Sequence, residues 1–160
     1  MNNLLPSALV LGAVAVAAAY LVLGRHIVHG KEALIVRVSQ LYPFAVMLQA
    51  LHFMEELMAG FAVRFPALFG LDPIPQSAFL GFNVAWIGIW TITIPGIRSR
   101  NRFAFFACWF LALAGIVNLV AHPLLALFVW GYFPGLFTAP LVGLICVLLF
   151  LRLEVATRPA

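Results

Sequence analysis

Residues 41–63 read LYPFAVMLQALHFMEELMAGFAV, and this stretch determines how the chain must fold. An α-helix of this length extends about 35 Å, enough to cross a hydrocarbon core of about 30 Å. The stretch does not alternate apolar and polar residues, as the strands of a transmembrane barrel do. We therefore predict a membrane-spanning helix that carries three ionisable residues, His52, Glu55 and Glu56, within an apolar sequence.

The composition of the whole chain agrees with a membrane protein. Hydrophobic residues make up 65% of the 160 residues and charged residues 9%, and the mean hydropathy is +1.11. A soluble domain has about a quarter of its residues charged. The composition thus excludes a soluble domain and a disordered chain, and the length predicts one domain. The net charge of +4 indicates orientation in a membrane and contact with lipid headgroups, not with nucleic acid.

Four further apolar runs have the length of a membrane span, which predicts an all-α bundle of five transmembrane helices. Met1-Asn2-Asn3 contains no basic residue, so we expect the first run to be a retained span and not a cleaved signal peptide. Pro123 is expected to end or kink the fourth helix. The five runs cover approximately residues 4–23, 41–63, 77–97, 103–121 and 136–153.

The basic residues predict the orientation of the five helices. They fall in the connection between runs one and two, in the connection between runs three and four, and in the C-terminal tail. With five crossings these segments lie on one side, which the positive-inside rule identifies as the cytoplasm. We predict an outside N-terminus and a cytoplasmic C-terminus, in a bacterial cytoplasmic (inner) membrane. Every basic residue except Arg64 belongs to these segments, namely Arg25, Lys31, Arg37, Arg98, Arg100, Arg102, Arg152 and Arg158.

Polar residues of three predicted helices lie at similar depths. His52, Glu55 and Glu56 share one face of the second helix, because positions i, i+3 and i+4 project together. Asn118 and His122 form an i, i+4 pair on the fourth helix. From the helical rise, the polar groups of the second, third and fourth helices lie about 17–29 Å from the cytoplasmic edge. We therefore predict a shared site in the outer half of the bilayer.

The cost of charge in a bilayer predicts what this site binds. A charged residue at the centre costs about 2.5–3.5 kcal/mol, and no Lys or Arg lies at that depth to neutralise the carboxylates. Protonation or a bound cation would remove the cost. Imidazole and carboxylate groups are ligands of zinc, iron and manganese. We predict one divalent metal, whose identity stays open, bound by His52, Glu55, Glu56 and His122.

The predicted catalytic residues are His52, Glu55 and Glu56. One glutamate would be a metal ligand and the other the base that activates water, and the sequence does not say which is which. The alternative for the two glutamates is a protonated, hydrogen-bonded pair that joins helices. His26 and His29 lie at the cytoplasmic boundary, and we expect no ligand role for them. The candidates for substrate binding are Asn83, Trp86 and Asn118.

Three elements of the sequence resemble the HXXEE-motif family of small bacterial membrane proteins. They are His52-Phe53-Met54-Glu55-Glu56, Asn118-Leu119-Val120-Ala121-His122 and Tyr132-Phe133-Pro134-Gly135, in that order. The resemblance covers roughly residues 41–153. It implies a functional role for the His and Glu residues of the first element and for the Asn and His of the second. It supplies no reaction, because the family is described as membrane proteins of unknown function.

Three classes of function fit these residues. The first is an intramembrane enzyme that acts on a lipid-soluble substrate from the bilayer, for which a metal-dependent, hydrolase-like reaction is one option. The second is a binding or transport module for protons or metal ions, although five helices without an inverted repeat are few for a transporter. The third is a structural accessory subunit. We favour the enzyme, with the lipid bilayer and a hydrophobic or lipid-like small molecule as partners, and leave the oligomeric state open.

Overall fold

The computed structural model describes residues 4–25 and 31–158, and Met1–Asn3, His26 and His29 lie outside the described residues. The predicted all-α fold is confirmed, since the described chain is helical apart from short connections. Five of its helices, all but α3, are long and apolar enough to cross a bilayer, which indicates an integral membrane protein in contact with lipid. The helices are α1 (Leu5–Leu23), α2 (Glu32–Met58), α3 (Phe61–Ala67), α4 (Gln76–Arg98), α5 (Arg102–Phe128) and α6 (Ala139–Thr157).

Helix α5 lies at the centre of the bundle, in contact with α1, α2, α4 and α6. Small residues on α5 and α6 allow these two helices to approach closely, as is typical of membrane interfaces. Gly115 of α5 lies against Cys146 of α6, and Gly143 of α6 lies against Leu119 of α5. The close pairing of α5 and α6 fixes the position of the loop that joins them.

Helix α2 packs against α4 and α6. Polar side chains link α2 to α4 through hydrogen bonds, as is common between membrane helices. The Tyr42 hydroxyl lies 2.9 Å from Thr93 Oγ1, and Arg98 Nε donates to Ser39 Oγ over 3.2 Å. These contacts fix the first half of α2 against α4. The second half of α2 lies beside α5 and α6.

The basic segments meet at one end of the bundle, as the sequence predicts. Arg25 forms an ion pair of 2.6 Å with Glu154, which joins the end of α1 to the end of α6. Arg100, in the turn between α4 and α5, forms an ion pair with Glu32 in the first turn of α2. The opposite end of the bundle contains the second half of α2, helix α3 and the loop between α5 and α6.

Helix α2 differs from the predicted span at both of its ends. It begins at Glu32 and not near residue 41, so Arg37 belongs to the helix and not to the preceding connection. It ends at Met58, because Gly60 adopts a left-handed conformation with φ of +78° that terminates helices. The chain then forms the short helix α3, which the sequence analysis did not predict.

Helix α5 continues past Pro123 to Phe128, so of the two predicted effects of this proline, an end or a kink, the helix end is excluded. Proline removes one backbone N–H group from the helix, but neighbouring helices in a membrane bundle tolerate this loss. The longer helix carries His122 inside its last two turns. Helices α1, α4 and α6 agree with the predicted spans to within a few residues.

Candidate metal centre

Three ionisable side chains meet at the end of the bundle opposite the basic segments. His52 and Glu56 are one helical turn apart near the end of α2, and His122 faces them from α5. The exposed fractions are 0% for His52, 8% for Glu56 and 3% for His122. One ligand atom from each residue lies within 4.8 Å of the others. Among residues 4–25 and 31–158, no other group of His, Cys, Asp and Glu side chains comes together in this way.

The facing atoms of this His52–Glu56–His122 group are close without being hydrogen-bonded. Glu56 Oε1 lies 3.7 Å from His52 Nε2 and 3.5 Å from His122 Nε2, whereas an N–H···O hydrogen bond measures about 2.7–3.2 Å. The two imidazole rings lie edge to face, with centroids 4.7 Å apart. His52 Nε2 is buried and has no hydrogen-bond partner within the described chain. The three atoms therefore surround a common point.

The tautomer of His122 follows from its second ring nitrogen. His122 Nδ1 lies 2.6 Å from the carbonyl oxygen of Pro134. A carbonyl oxygen only accepts hydrogen bonds, so His122 Nδ1 must carry the proton and donate it. In a neutral imidazole the other nitrogen is then unprotonated. His122 thus presents an Nε2 lone pair toward Glu56.

The tautomer of His52 follows from a chain of two hydrogen bonds. His52 Nδ1 lies 2.8 Å from Thr138 Oγ1, and the Thr138 hydroxyl donates to Glu55 Oε2 over 2.6 Å. A hydroxyl has one proton, so Thr138 Oγ1 can only accept from His52 Nδ1. In the neutral ring His52 Nε2 is therefore unprotonated as well. Ligating histidines in metal sites are held by the same kind of bond from the nitrogen that does not bind the metal.

The loop between α5 and α6 covers the group. Gly135 has φ of +89° and lies so near both rings that a Cβ atom there would be 2.5 Å from His122 Nδ1 and 2.7 Å from His52 Cε1. Phe133 of the same loop is buried, and the ring of Phe61 in α3 lies 5.9 Å from that of His122. Because these residues enclose the group, its polar atoms lie in an apolar, water-poor environment.

Glu55 does not join the group, although it is adjacent to Glu56. Its Oε1 accepts from the Tyr132 hydroxyl over 2.8 Å and from Phe137 N over 3.1 Å. Its Oε2 accepts from Thr138 N over 2.8 Å, in addition to the threonine hydroxyl. Desolvation and the hydrogen bond to Glu55 raise the pKa of Tyr132 to about 12, so that Tyr132 stays a donor at neutral pH. Of the four predicted metal ligands, three come together, and Glu55 instead anchors the loop.

The predicted substrate-binding residues lie apart from the group. Asn83 Nδ2 donates over 2.9 Å to the carbonyl of Phe79 in its own helix. The Trp86 ring packs on Phe110, with centroids 4.4 Å apart. Asn118 is half-buried. No hydrogen bond or ring contact within the described chain links these three residues to the group, so their role in binding substrate stays a prediction.

Sequence reasoning missed Thr138 and the backbone groups of the loop. Thr138 lies in the first turn of the predicted run 136–153, and threonine near the start of a helix often signals its N-cap. It does occupy the N-cap of α6, but its side chain makes no capping bond because Glu55 and His52 bind its hydroxyl. The Pro134-Gly135 turn enters the sequence analysis only through the family resemblance. The sequence does not show that the Pro134 carbonyl accepts a hydrogen bond from His122, or that Gly135 leaves room for the two imidazole rings.

The donor atoms fit a metal ion. Zinc lies about 2.0–2.1 Å from histidine nitrogen and carboxylate oxygen, which places two ligand atoms of a tetrahedral site about 3.3 Å apart. The two separations from Glu56, 3.5 Å and 3.7 Å, exceed this value by a few tenths of an ångström, and all three ligand atoms lie within 4.8 Å of one another. Two unprotonated nitrogens and a carboxylate also form a donor set used by zinc and by non-haem iron. The buried group can therefore hold a metal ion.

Comparison with known proteins gives no match, since no protein family, no curated protein and no solved structure matches this chain. The five apolar helices and the buried His52–Glu56–His122 group agree with the resemblance to the HXXEE-motif family without showing membership. The chemistry of the centre is therefore interpreted from its own geometry.

Replacing Gly135 by alanine is expected to destabilise the protein, because the new methyl group would overlap both imidazole rings and the residue would keep a positive φ. Overlap and backbone strain of this kind cost about 1–3 kcal/mol each. Thermal unfolding in detergent micelles measures the loss as a lower Tm.

The matched control is Gly131→Ala in the same loop, where the nearest atom would be 3.8 Å away. This variant should unfold at the temperature of the unaltered protein. Equal Tm values for the Gly135 and Gly131 variants would contradict the close contact between the loop and the two histidines.

Proposed function

We propose that this protein is an intramembrane metalloenzyme, in which His52, Glu56 and His122 bind a divalent metal and act on a lipid-soluble substrate. The observation that carries the proposal is the placement of both imidazole rings, from which their tautomers follow. Each ring donates through Nδ1 to a fixed acceptor and presents an unprotonated Nε2 to the same oxygen of Glu56. Three electron-rich atoms thus face one another inside an apolar bundle.

A bound cation satisfies this arrangement better than hydrogen bonding does. A protonated Glu56 has one proton and could donate to only one of the two nitrogens. The separations of 3.5 Å and 3.7 Å are also longer than a hydrogen bond. The second nitrogen would stay without a partner in either case. A buried polar atom left unsatisfied costs about 1–3 kcal/mol. One metal ion would bind all three atoms and neutralise the carboxylate.

The number of protein ligands favours an enzyme over a structural metal site. Structural zinc sites have four protein ligands, whereas catalytic sites have three, two histidines and a glutamate among them, and keep one position open. A metal in such a site polarises a carbonyl group or a water molecule. The role of ligand falls to Glu56. Glu55 is poorly placed to act as the base, because four hydrogen bonds occupy its oxygens.

The surroundings of the group favour a substrate from the bilayer. Apolar side chains are exposed on α2 and α5 around it, including Met54, Val120 and Leu124. These side chains would face acyl chains, so the surface nearest to the group suits a substrate that is dissolved in the bilayer. We further propose that the basic end faces the bacterial cytoplasm, which places the group toward the outer leaflet.

Transport of protons or metal ions has less support. The interior between the group and the basic end consists mostly of buried apolar residues, among them Ala45, Trp109 and Leu149. Its buried Tyr42 and Thr93 side chains are hydrogen-bonded to each other and form no continuous polar path. A path for ions through a membrane requires polar side chains or water along its length. The group is therefore better suited to a reaction near one surface than to conduction across the bundle.

Purified protein is expected to retain close to one divalent metal per chain. His122→Ala and Glu56→Gln should reduce the metal content at least tenfold, because each removes one of three ligands. Glu154→Gln, which alters a carboxylate at the other end of the bundle, should leave the content unchanged. Elemental analysis after incubation with zinc, iron or manganese measures these values, and circular dichroism checks that the variants are folded. Unaltered protein that binds none of the three metals would contradict the proposal.

Metal-loaded protein in vesicles of bacterial polar lipids is expected to change the abundance of at least one lipid-soluble species. Glu56→Gln should abolish the change, and Glu154→Gln should retain it. Mass spectrometry of lipid extracts before and after incubation makes the comparison. Identical extracts from the unaltered protein and Glu56→Gln, when lipids and isoprenoid compounds are both supplied, would exclude a lipid-directed enzyme.

A further inference from the structure

Glu55 is adjacent to the proposed metal ligand Glu56 but does not reach the site itself. Its two carboxylate oxygens accept four hydrogen bonds. Both oxygens accept a backbone N–H group from the α5–α6 loop, Phe137 N on Oε1 and Thr138 N on Oε2. The Thr138 and Tyr132 hydroxyls add a third and a fourth hydrogen bond. The Thr138 hydroxyl that donates to Glu55 also contacts His52 Nδ1, so Glu55 is linked to His52 as well as to the loop.

We propose that Glu55 and Thr138 are positioning residues that set the tautomer of His52 and thereby its ability to bind a metal. This inference rests on the proposed metal site. Its physical basis is the direction of two hydrogen bonds. Because the Thr138 proton is donated to Glu55, the Thr138 oxygen requires the proton of His52 on Nδ1. The Nε2 lone pair that faces Glu56 is a consequence.

If the hydrogen bond between Thr138 and His52 ran in the opposite direction, His52 Nε2 could not bind a metal. If the Thr138 hydroxyl donated to His52 Nδ1, the ring proton would lie on Nε2, the atom that faces Glu56 and His122. Only a group that accepts at both oxygens prevents this. A glutamine at position 55 cannot replace the carboxylate, because either orientation of its amide turns an NH₂ group toward a backbone N–H of the loop.

His122 has no comparable dependence on Glu55. Its Nδ1 donates to the Pro134 carbonyl, and a carbonyl cannot reverse the bond. The two histidines thus reach the same tautomer by different means, one through a backbone acceptor and one through the Glu55–Thr138 pair. His122 therefore serves as an internal reference when the pair is altered.

The test compares Thr138→Val, which removes the hydroxyl but keeps the shape, with Thr138→Ser, which keeps the hydroxyl. Nitrogen-15 NMR of the metal-free protein reports which ring nitrogen carries the proton. We expect His52 to be protonated on Nδ1 in the unaltered protein and in Thr138→Ser, and to lose this preference in Thr138→Val. His122 should stay protonated on Nδ1 in all three.

Zinc affinity, measured by competition with a chelator, is the second readout. Thr138→Val and Glu55→Gln should bind zinc about 10–100-fold more weakly, the usual effect of removing a partner of a ligating histidine. Thr138→Ser should keep its affinity, as should Tyr132→Phe, which removes a different hydrogen bond of Glu55. Equal affinity and equal tautomers in Thr138→Val and Thr138→Ser would overturn the inference. Failure of the unaltered protein to bind zinc would instead count against the metal site itself.

Discussion

Two imidazole rings each donate a hydrogen bond away from the other, and this leaves two unprotonated nitrogens facing one carboxylate. The arrangement of this end of the bundle depends on these contacts. In water such atoms would be hydrated. Here they are enclosed by Phe61, Phe133 and Gly135, and within the described chain they face one another. A positive charge at this point would stabilise the three atoms, and no buried Lys or Arg of the described chain supplies it. This is the physical reason for proposing a metal.

The fold supplies this arrangement through the loop between α5 and α6. That single segment provides an acceptor for each histidine, the Pro134 carbonyl and the Thr138 hydroxyl. The close packing of α5 and α6 fixes where the loop begins and ends, and Glu55 binds it at Tyr132 and at Phe137 and Thr138, just before α6. The second half of α2 therefore contributes both His52 and Glu56 and the anchor for the loop that orients His52. The basic end has no part in this and holds the helices together through its own ion pairs.

The sequence predicts the five apolar helices and the meeting of His52, Glu56 and His122, because hydropathy and helical spacing are local properties. It does not separate Glu55 from Glu56, since adjacent residues point about 100° apart and only the partner decides which one faces inward. The partner of Glu55 lies 83 residues away, beyond any local pattern. Asn83 shows the same limit, because depth along a helix does not tell which way a side chain faces.

The coordination of a bound metal tests the central claim most directly. X-ray absorption at the zinc edge of the loaded protein resolves imidazole, carboxylate and sulfur ligands. We predict two imidazoles and light-atom oxygen donors, with one imidazole lost in His122→Ala. A first shell without imidazole, or one with sulfur from the buried thiols Cys108 and Cys146, would show that zinc binds elsewhere and that the convergence of His52, Glu56 and His122 has another cause.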